Sequence, residues 1–180
     1  METEQELLTA IRSGDRSAFH RLYCRYSGYA MAIGLRYIPQ SEEVRDVIQD
    51  SFVKILTSIN DFEYRGEGSL KSWVSRIVAN KAVDYLRQHE RLMFVGNIPD
   101  EVEEDLPDIE EVPPEVLMEM ISRLPANYRM VLNLFVYEQY SHKEIAQQLG
   151  IKENTSFSHF HRAKKMLARM IKEYQNKQKI

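Results

Sequence analysis

Apolar residues recur at intervals of three and four along most of the chain, and this spacing restricts the fold to helices that pack through one face. Between positions 15 and 37 one such stripe consists of Ala18, Phe19, Leu22, Tyr26, Tyr29, Ile33 and Tyr37. Only seven Gly and six Pro occur among the 180 residues, so few positions interrupt a helix. The predicted fold class is therefore all-α.

The same periodicity, combined with the residues that begin and end helices, gives the helix bounds. It predicts helices at about 3–13, 15–37, 70–89, 115–123, 126–137 and 153–174. A further helix opens at Ser41, its expected N-cap, and its buried side consists of Val44, Val47, Ile48, Phe52, Ile55 and Leu56. The single cysteine, Cys24, excludes an internal disulfide, and we expect its thiol to be buried in helix packing.

The net charge of −3 conceals a strong asymmetry along the chain. Residues 97–115 carry nine acidic side chains and no basic one, whereas residues 116–180 carry a net charge of +6. The acidic stretch also contains Pro99, Pro107, Pro113 and Pro114, and like-charge repulsion and X-Pro restrictions favour an extended chain there. The sequence therefore predicts two small helical domains, 1–94 and 116–180, joined by an acidic, proline-containing linker at 95–115.

Patterns typical of enzymes and of membrane proteins are absent from the sequence. It contains no HExxH, no phosphate-binding Gly loop and no CxxC, and His159 and His161 lie too close in sequence to share a metal on a helix. We therefore expect no catalytic residues, no cofactor and no metal. The N-terminus METEQELL is acidic, and no apolar run approaches the roughly 20 residues that span a bilayer. These features predict a cytoplasmic protein without direct membrane insertion.

The stretch from Ser141 to Ile171 has the pattern of a helix-turn-helix motif. Ser141 and Glu144 have capping-box spacing, Gly150 interrupts the first helix, and a basic helix follows. The cationic side chains of that last helix are His161, Arg162, Lys164, Lys165, Arg169 and Lys172. Cations at this density suit neutralisation of DNA phosphates, although a solvated face of a bundle helix remains the alternative.

Two segments of the first domain, at 18–56 and 69–91, and one of the second, at 124–150, resemble extracytoplasmic-function sigma factors of RNA polymerase. Leu124-Pro125, Arg129 and the following SHKEIAQQLG resemble conserved domain four of sigma factors. Residues 18–56 resemble the first half of domain two, and SLKSWVSRIVANKAVDYLRQHER at 69–91 is similar to its promoter-recognition helix. The resemblance implies an initiation factor that joins core RNA polymerase, recognises promoter DNA and is held by an anti-sigma factor.

The resemblance also implies site residues in the first domain. The DVIQDSF helix is expected to bind core polymerase through Asp46, Gln49 and Asp50, which helical spacing separates from the apolar face that contains Phe52. The loop EYRGEGS together with Asn80 is expected to hold a flipped minus-ten base. The further minus-ten contacts expected are Trp73, Arg76, Lys81 and Arg87. A core position for Trp73 is the alternative.

The recognition helix departs from the family pattern. Phe157 stands where a cation is usual, and His159 stands where an Arg is usual, so bidentate guanine recognition is not available at 159. Thymine-methyl contacts by Phe157 and phosphate-dominated binding with shape readout remain open. The expected minus-thirty-five contacts are Thr155, Phe157, Ser158, His159, Arg162 and Lys165.

Two other functions remain open at the level of the sequence. The first is a helix-turn-helix regulator that never joins core polymerase, and the separate DVIQDSF helix counts against it. The second is an adaptor that keeps the fold without the DNA contacts, and the altered recognition helix is its support. For the linker, a solvated tether and a segment that enters the nucleic-acid channel of the polymerase are both compatible with nine carboxylates.

Overall fold

The computed structural model describes residues 2–89 and 112–178. Within these stretches the chain forms α-helices and one 3-10 helix but no strand, which confirms the all-α prediction. The helices are α1 (Glu4–Arg12), α2 (Arg16–Tyr37), α3 (Ser41–Ser58), α4 (Ser69–His89), α5 (Pro114–Ser122), α6 (Ala126–Val136), α7 (His142–Leu149) and α8 (Glu153–Gln178), and the 3-10 helix is Ile59–Asp61. No helix in the described stretches is long and apolar enough to cross a membrane.

The chain divides into two compact units, Met1–Gln88 and His89–Ile180. The predicted linker at 95–115 lies outside the described residues except for its last four. Of these, Val112 is buried against Met120 and Ile171, and α5 begins at Pro114, slightly before the predicted start of the second domain. The domain bounds 1–94 and 116–180, and the course of the linker, therefore stay predictions.

Capping residues set the beginnings of the first helices. The Thr3 hydroxyl accepts the Glu6 N–H while the Glu6 carboxylate accepts the Thr3 N–H, so α1 begins with a capping box. The Asp15 carboxylate accepts the Ser17 N–H at 2.8 Å and caps α2. The predicted N-cap role of Ser41 is wrong, because Ser41 is the first helical residue of α3 and Gln40 occupies the cap without a side-chain bond.

The core of the first unit consists of the buried apolar faces of α1, α2, α3 and α4. Gly34 of α2 allows close contact with α3, since a Cβ at this position would lie 2.6 Å from Val44 Cγ1. Phe52 is buried, as predicted. Two expectations were wrong: Leu56 is 37% exposed, and Cys24 is exposed with its Sγ 3.4 Å from His20 Nε2. Leu56 lies at the rim of the apolar stripe of α3, where spacing alone does not distinguish buried from exposed positions, whereas Cys24 lies on the side of α2 opposite the buried Leu22 and Tyr26.

The second unit contains the predicted helix-turn-helix. Ser141 and Glu144 form the capping box of α7, and Gly150 ends that helix in the left-handed conformation at φ 67°. The buried Arg129 guanidinium donates to the carbonyls of Ser122 and Leu124, which satisfies acceptors at the end of α5. A core formed by Ile121, Leu124, Leu132 and Ala163 joins α5, α6 and α8, and α7 buries Ile145, Ala146 and Leu149.

Candidate protein and nucleic-acid interfaces

The outer face of α3 carries the three residues predicted to bind a protein partner. Asp46, Gln49 and Asp50 are all exposed, while Val47 and Ile48 between them are buried. Helical spacing places the three polar side chains on one face, because positions three and four apart lie above one another. Two carboxylates and an amide on one helix face suit Arg or Lys side chains of a partner.

The same face continues into apolar side chains that the sequence reasoning missed. Val53 is 56% exposed, and Leu56, which was predicted to be buried, is exposed as well. Tyr23 of α2 is also exposed, and its ring centroid lies 4.7 Å from that of Phe52. The sequence signal was the continued three-residue spacing from Asp50 to Val53 and Leu56. We call the set Asp46, Gln49, Asp50, Val53 and Leu56 the α3 outer face.

The predicted minus-ten residues lie along one face of α4. Trp73, Arg76, Asn80 and Arg87 recur at intervals of three, four and seven, opposite the buried Val78, Ala82 and Leu86. Arg76 and Arg87 are exposed, while Asn80 is half-buried. The predicted Lys81 is also half-buried and lies at the edge of this face.

The position of Trp73 is compatible with a core role and with the predicted minus-ten contact, and the contact stays a prediction. Its side chain is half-buried, and its ring centroid lies 4.9 Å from that of Phe62, which is buried at the start of the loop before α4. An aromatic pair of this geometry supports the loop while it leaves part of the indole accessible. The loop then turns at Gly66 (φ 116°) and Gly68 (φ 91°), two conformations that L side chains rarely adopt.

The structure corrects two of the residues predicted to contact duplex DNA. His159 is fully buried, with its ring centroid 5.1 Å from that of Tyr128, and Thr155 one turn earlier is also buried. These positions lie on the stripe that continues to Ala163 in the core, so neither side chain reaches outward. Burial lowers the pKa of the His159 imidazole, which favours its neutral form. The prediction that His159 and Thr155 contact bases is therefore wrong for this structure.

The remaining predicted contacts face outward to different extents. Phe157 is 57% exposed, Lys165 is exposed, and Ser158 is half-buried with its hydroxyl donating to the Asn154 carbonyl at 2.8 Å. Arg162 is half-buried, and its guanidinium donates to the Tyr128 hydroxyl at 3.0 Å. Of the predicted minus-thirty-five residues, Phe157, Ser158 and Lys165 therefore face outward, and Arg162 lies at the edge of that face.

Asn154, which the sequence reasoning missed, and His161, which it noted only for its charge, share the outward face of α8. Asn154 is exposed and His161 is half-buried, and both fall at helical spacing with Phe157, Ser158 and Lys165. An Asn side chain can read the adenine edge through paired hydrogen bonds. The signal that could have identified Asn154 is its distance of three residues from Phe157. We call Asn154, Phe157, Ser158, His161 and Lys165 the α8 outer face.

Aromatic packing supports the exposed Phe157 from below. His142 stacks on Phe135 at 4.5 Å between ring centroids and meets the edge of Phe157 at 5.4 Å. Its Nδ1 lies 3.0 Å from the hydroxyl of the buried Ser156, and burial lowers the pKa of His142. The described residues contain no cluster of His, Cys, Asp and Glu that could hold a metal ion.

Comparison with known proteins assigns families to both parts of the chain. The family described as Sigma-70 region 2 matches residues 22–92, and the family described as Sigma-70, region 4 matches residues 115–167. The ECF RNA polymerase sigma-E factor of Salmonella typhimurium (strain LT2) is 30% identical over 92% of each chain. Those of Haemophilus influenzae and Escherichia coli K12 are each 29% identical, the first over 94% of this chain and 95% of its own length, the second over 92% of each. A solved structure of CnrH in complex with the cytosolic domain of CnrY is 24% identical over 93% of this chain and 96% of that chain, with a TM-score of 0.48.

Proposed function

We propose specific surfaces for each step of promoter recognition, because the chain belongs to the extracytoplasmic-function sigma factors, which direct RNA polymerase to promoters and are not enzymes. The α3 outer face binds core RNA polymerase. The α4 face and the loop before it open and hold the minus-ten element. The α8 outer face contacts the minus-thirty-five element.

The α3 outer face is the observation that carries this proposal. It presents two carboxylates and an amide in a row that continues into the exposed Val53 and Leu56. Interfaces that bind tightly combine a few charged pairs with an apolar centre, and this helix face offers both. A regulator that never joins polymerase has no need for such a surface outside its DNA-binding helices, so the face favours the sigma factor over that alternative.

The α4 face supports a role in single-stranded DNA capture. Opening a duplex costs a few kcal/mol for each unstacked base, and capture of a base in a pocket can offset that cost. Asn80 supplies a donor and an acceptor for a base edge, the half-buried Trp73 supplies a ring, and Arg76 and Arg87 supply positive charge. We propose that these side chains work together with the loop at 63–68.

The α8 outer face supports duplex recognition with a changed contact set. We propose that Asn154, Phe157 and Ser158 face the base edges and that His161 and Lys165 approach the phosphates. Arg162 contributes positive charge at the margin, next to Tyr128. Because the α8 outer face contains no Arg, base discrimination depends on hydrogen bonds from Asn154 and on apolar contact between Phe157 and a thymine methyl group.

Two features of the cellular setting complete the proposal. Binding both promoter elements through one polymerase raises the effective concentration of each DNA contact, so two weak contacts act as one strong one. We extend to this chain the anti-sigma factor that usually restrains members of its family. We also propose a cytoplasmic location, because core polymerase and promoter DNA are there.

Co-purification with core polymerase tests the central step. The triple variant Asp46→Ala, Gln49→Ala and Asp50→Ala is expected to lower the affinity for core by about 100-fold, the factor that roughly 2.7 kcal/mol represents. The double variant Asp61→Ala and Glu63→Ala removes two exposed carboxylates of the same unit outside α3 and serves as the control. Wild-type affinity in the triple variant would contradict the assignment of the α3 outer face.

Run-off transcription tests the function as a whole. Core polymerase plus this chain is expected to make discrete transcripts from genomic DNA, and the sequences of their starts give the promoter elements. A chain that binds core but yields no specific transcript would instead support the adaptor, since that alternative keeps the fold without the DNA contacts.

A further inference from the structure

The side chain of Glu4 is buried in the first unit, where a carboxylate is unusual. It is 2% exposed, and it accepts four hydrogen bonds. The Tyr26 hydroxyl donates at 2.8 Å, and the backbone N–H groups of Gly68, Leu70 and Lys71 donate at 2.9, 2.9 and 3.1 Å. Three of the four donors therefore belong to the end of the loop and the first turn of α4.

This arrangement supplies a cap that α4 lacks locally. The first N–H groups of a helix have no partner within it, and a side chain just before the helix usually accepts one of them. Gly68 holds that position, and it has no side chain. The Glu4 carboxylate takes its place from a distant part of the sequence, and its negative charge is favourable at the helix N-terminus.

The other end of α1 holds the start of the same loop. The Arg12 guanidinium donates to the carbonyls of Phe62 and Ile59. Glu67 stabilises the contact between the start of α1 and the end of the loop, because its carboxylate accepts the Glu4 N–H at 3.2 Å and pairs with Arg25 at 3.2 Å. Helix α1 thus fixes both ends of the 62–68 loop, while Glu63 and Arg65 within it remain exposed.

We infer that Glu4 is a positioning residue for promoter opening. It holds the 62–68 loop and the first turn of α4 in the geometry that receives a minus-ten base, and this inference rests on the function proposed above for that loop. A loop that is already ordered loses little conformational entropy when it captures a base, so more of the contact energy remains to offset unstacking. In Glu4→Gln one carboxylate oxygen becomes an NH₂ group, which cannot accept a backbone N–H.

The test compares a closed promoter with one that is already open. Holoenzyme is assembled from core polymerase and the full-length Glu4→Gln chain, and transcription is measured on duplex DNA and on the same promoter with a mismatched minus-ten bubble. Opening of the duplex, followed by permanganate reactivity of its thymines, is expected to fall by about ten-fold, the factor that one lost charge-assisted bond can produce. Transcription from the bubble is expected to stay within about two-fold of wild type, since the cost of opening no longer applies.

Two variants separate positioning from stability. Glu6→Gln alters an exposed carboxylate of the same helix that accepts hydrogen bonds from the Thr3 N–H and hydroxyl and does not contact the loop, so duplex opening is expected to stay near wild type. Glu4→Asp keeps the charge but shortens the side chain by one carbon. It is expected to fold even if Glu4→Gln does not, and to show a smaller defect on the duplex that the bubble again removes.

The outcomes distinguish this inference from the proposed function. If the wild-type holoenzyme transcribes neither template, the proposed function itself is overturned. If wild type transcribes both, the inference is overturned by normal duplex opening in both Glu4 variants, by an equal defect on the bubble, or by an equal defect in Glu6→Gln. A duplex-specific defect confined to the Glu4 variants supports it.

Discussion

The contact between Gly34 and Val44 gives the sharpest quantitative prediction, because it fixes how closely helix α3, the proposed polymerase-binding helix, lies against α2. A methyl group at Gly34 would lie 2.6 Å from Val44 Cγ1, and Val44 is fully buried and has little room to move. Overpacking of this kind costs about 1–3 kcal/mol, whereas Gly→Ala within a helix gains about 1 kcal/mol. Gly34→Ala is therefore expected to lower the free energy of unfolding by about 1 kcal/mol.

Gly28 provides a matched control on the same helix. A Cβ there meets nothing within 4 Å outside the helix, so Gly28→Ala is expected to raise the free energy of unfolding by about 1 kcal/mol. The two variants should differ by about 2 kcal/mol, which corresponds to roughly 8–16 °C in Tm for a domain of this size. The same substitution on the same helix thus has opposite expected signs.

Tryptophan fluorescence during urea unfolding measures the difference in unfolding free energy between the two variants, and it does so in the first unit. The chain contains a single Trp, and Trp73 lies in α4 of the first unit, so its signal follows that unit in the full-length protein. A Gly34→Ala midpoint that rises as far as that of Gly28→Ala would refute the reasoning. A further check is Val44→Ala, which should cost less in the Gly34→Ala background than in wild type, because the smaller side chain relieves the contact.

Two other predictions concern the second unit. Replacing thymine by deoxyuridine in a minus-thirty-five duplex removes only the C5 methyl group. This change should weaken the binding of wild-type holoenzyme several-fold and should not change the binding of the Phe157→Ala holoenzyme. Equal losses of affinity in both proteins would contradict the methyl contact. Burial lowers the pKa of His142 and His159, so the stability that depends on their neutral forms is present above about pH 6.5 and is lost as the pH falls through their lower folded-state pKa values. The circular-dichroism urea midpoint of the second unit should decrease between pH 7.5 and 5.5, and less steeply in His159→Leu. An identical pH slope in that variant would show that His159 does not contribute.

The sequence by itself determined the features that depend on neighbours within one helix. The capping box of Ser141 and Glu144, the stop at Gly150 and the outward position of Asp46, Gln49 and Asp50 all follow from residues within one or two turns of one another. Local rules suffice in these cases because hydrogen-bond reach and helical phase are set by sequence spacing. The family pattern then supplied the partners that spacing alone does not name.

Only the tertiary structure decided which side of α8 faces outward and what caps α4. The last helix has polar and aromatic residues on several sides, so periodicity did not reveal that His159 and Thr155 pack inward while Phe157 and Asn154 point out. The cap from Glu4 joins residues at least 64 positions apart, and no spacing rule connects them. Burial and long-range hydrogen bonds depend on which elements pack together, and that choice is made by the whole core rather than by any one segment.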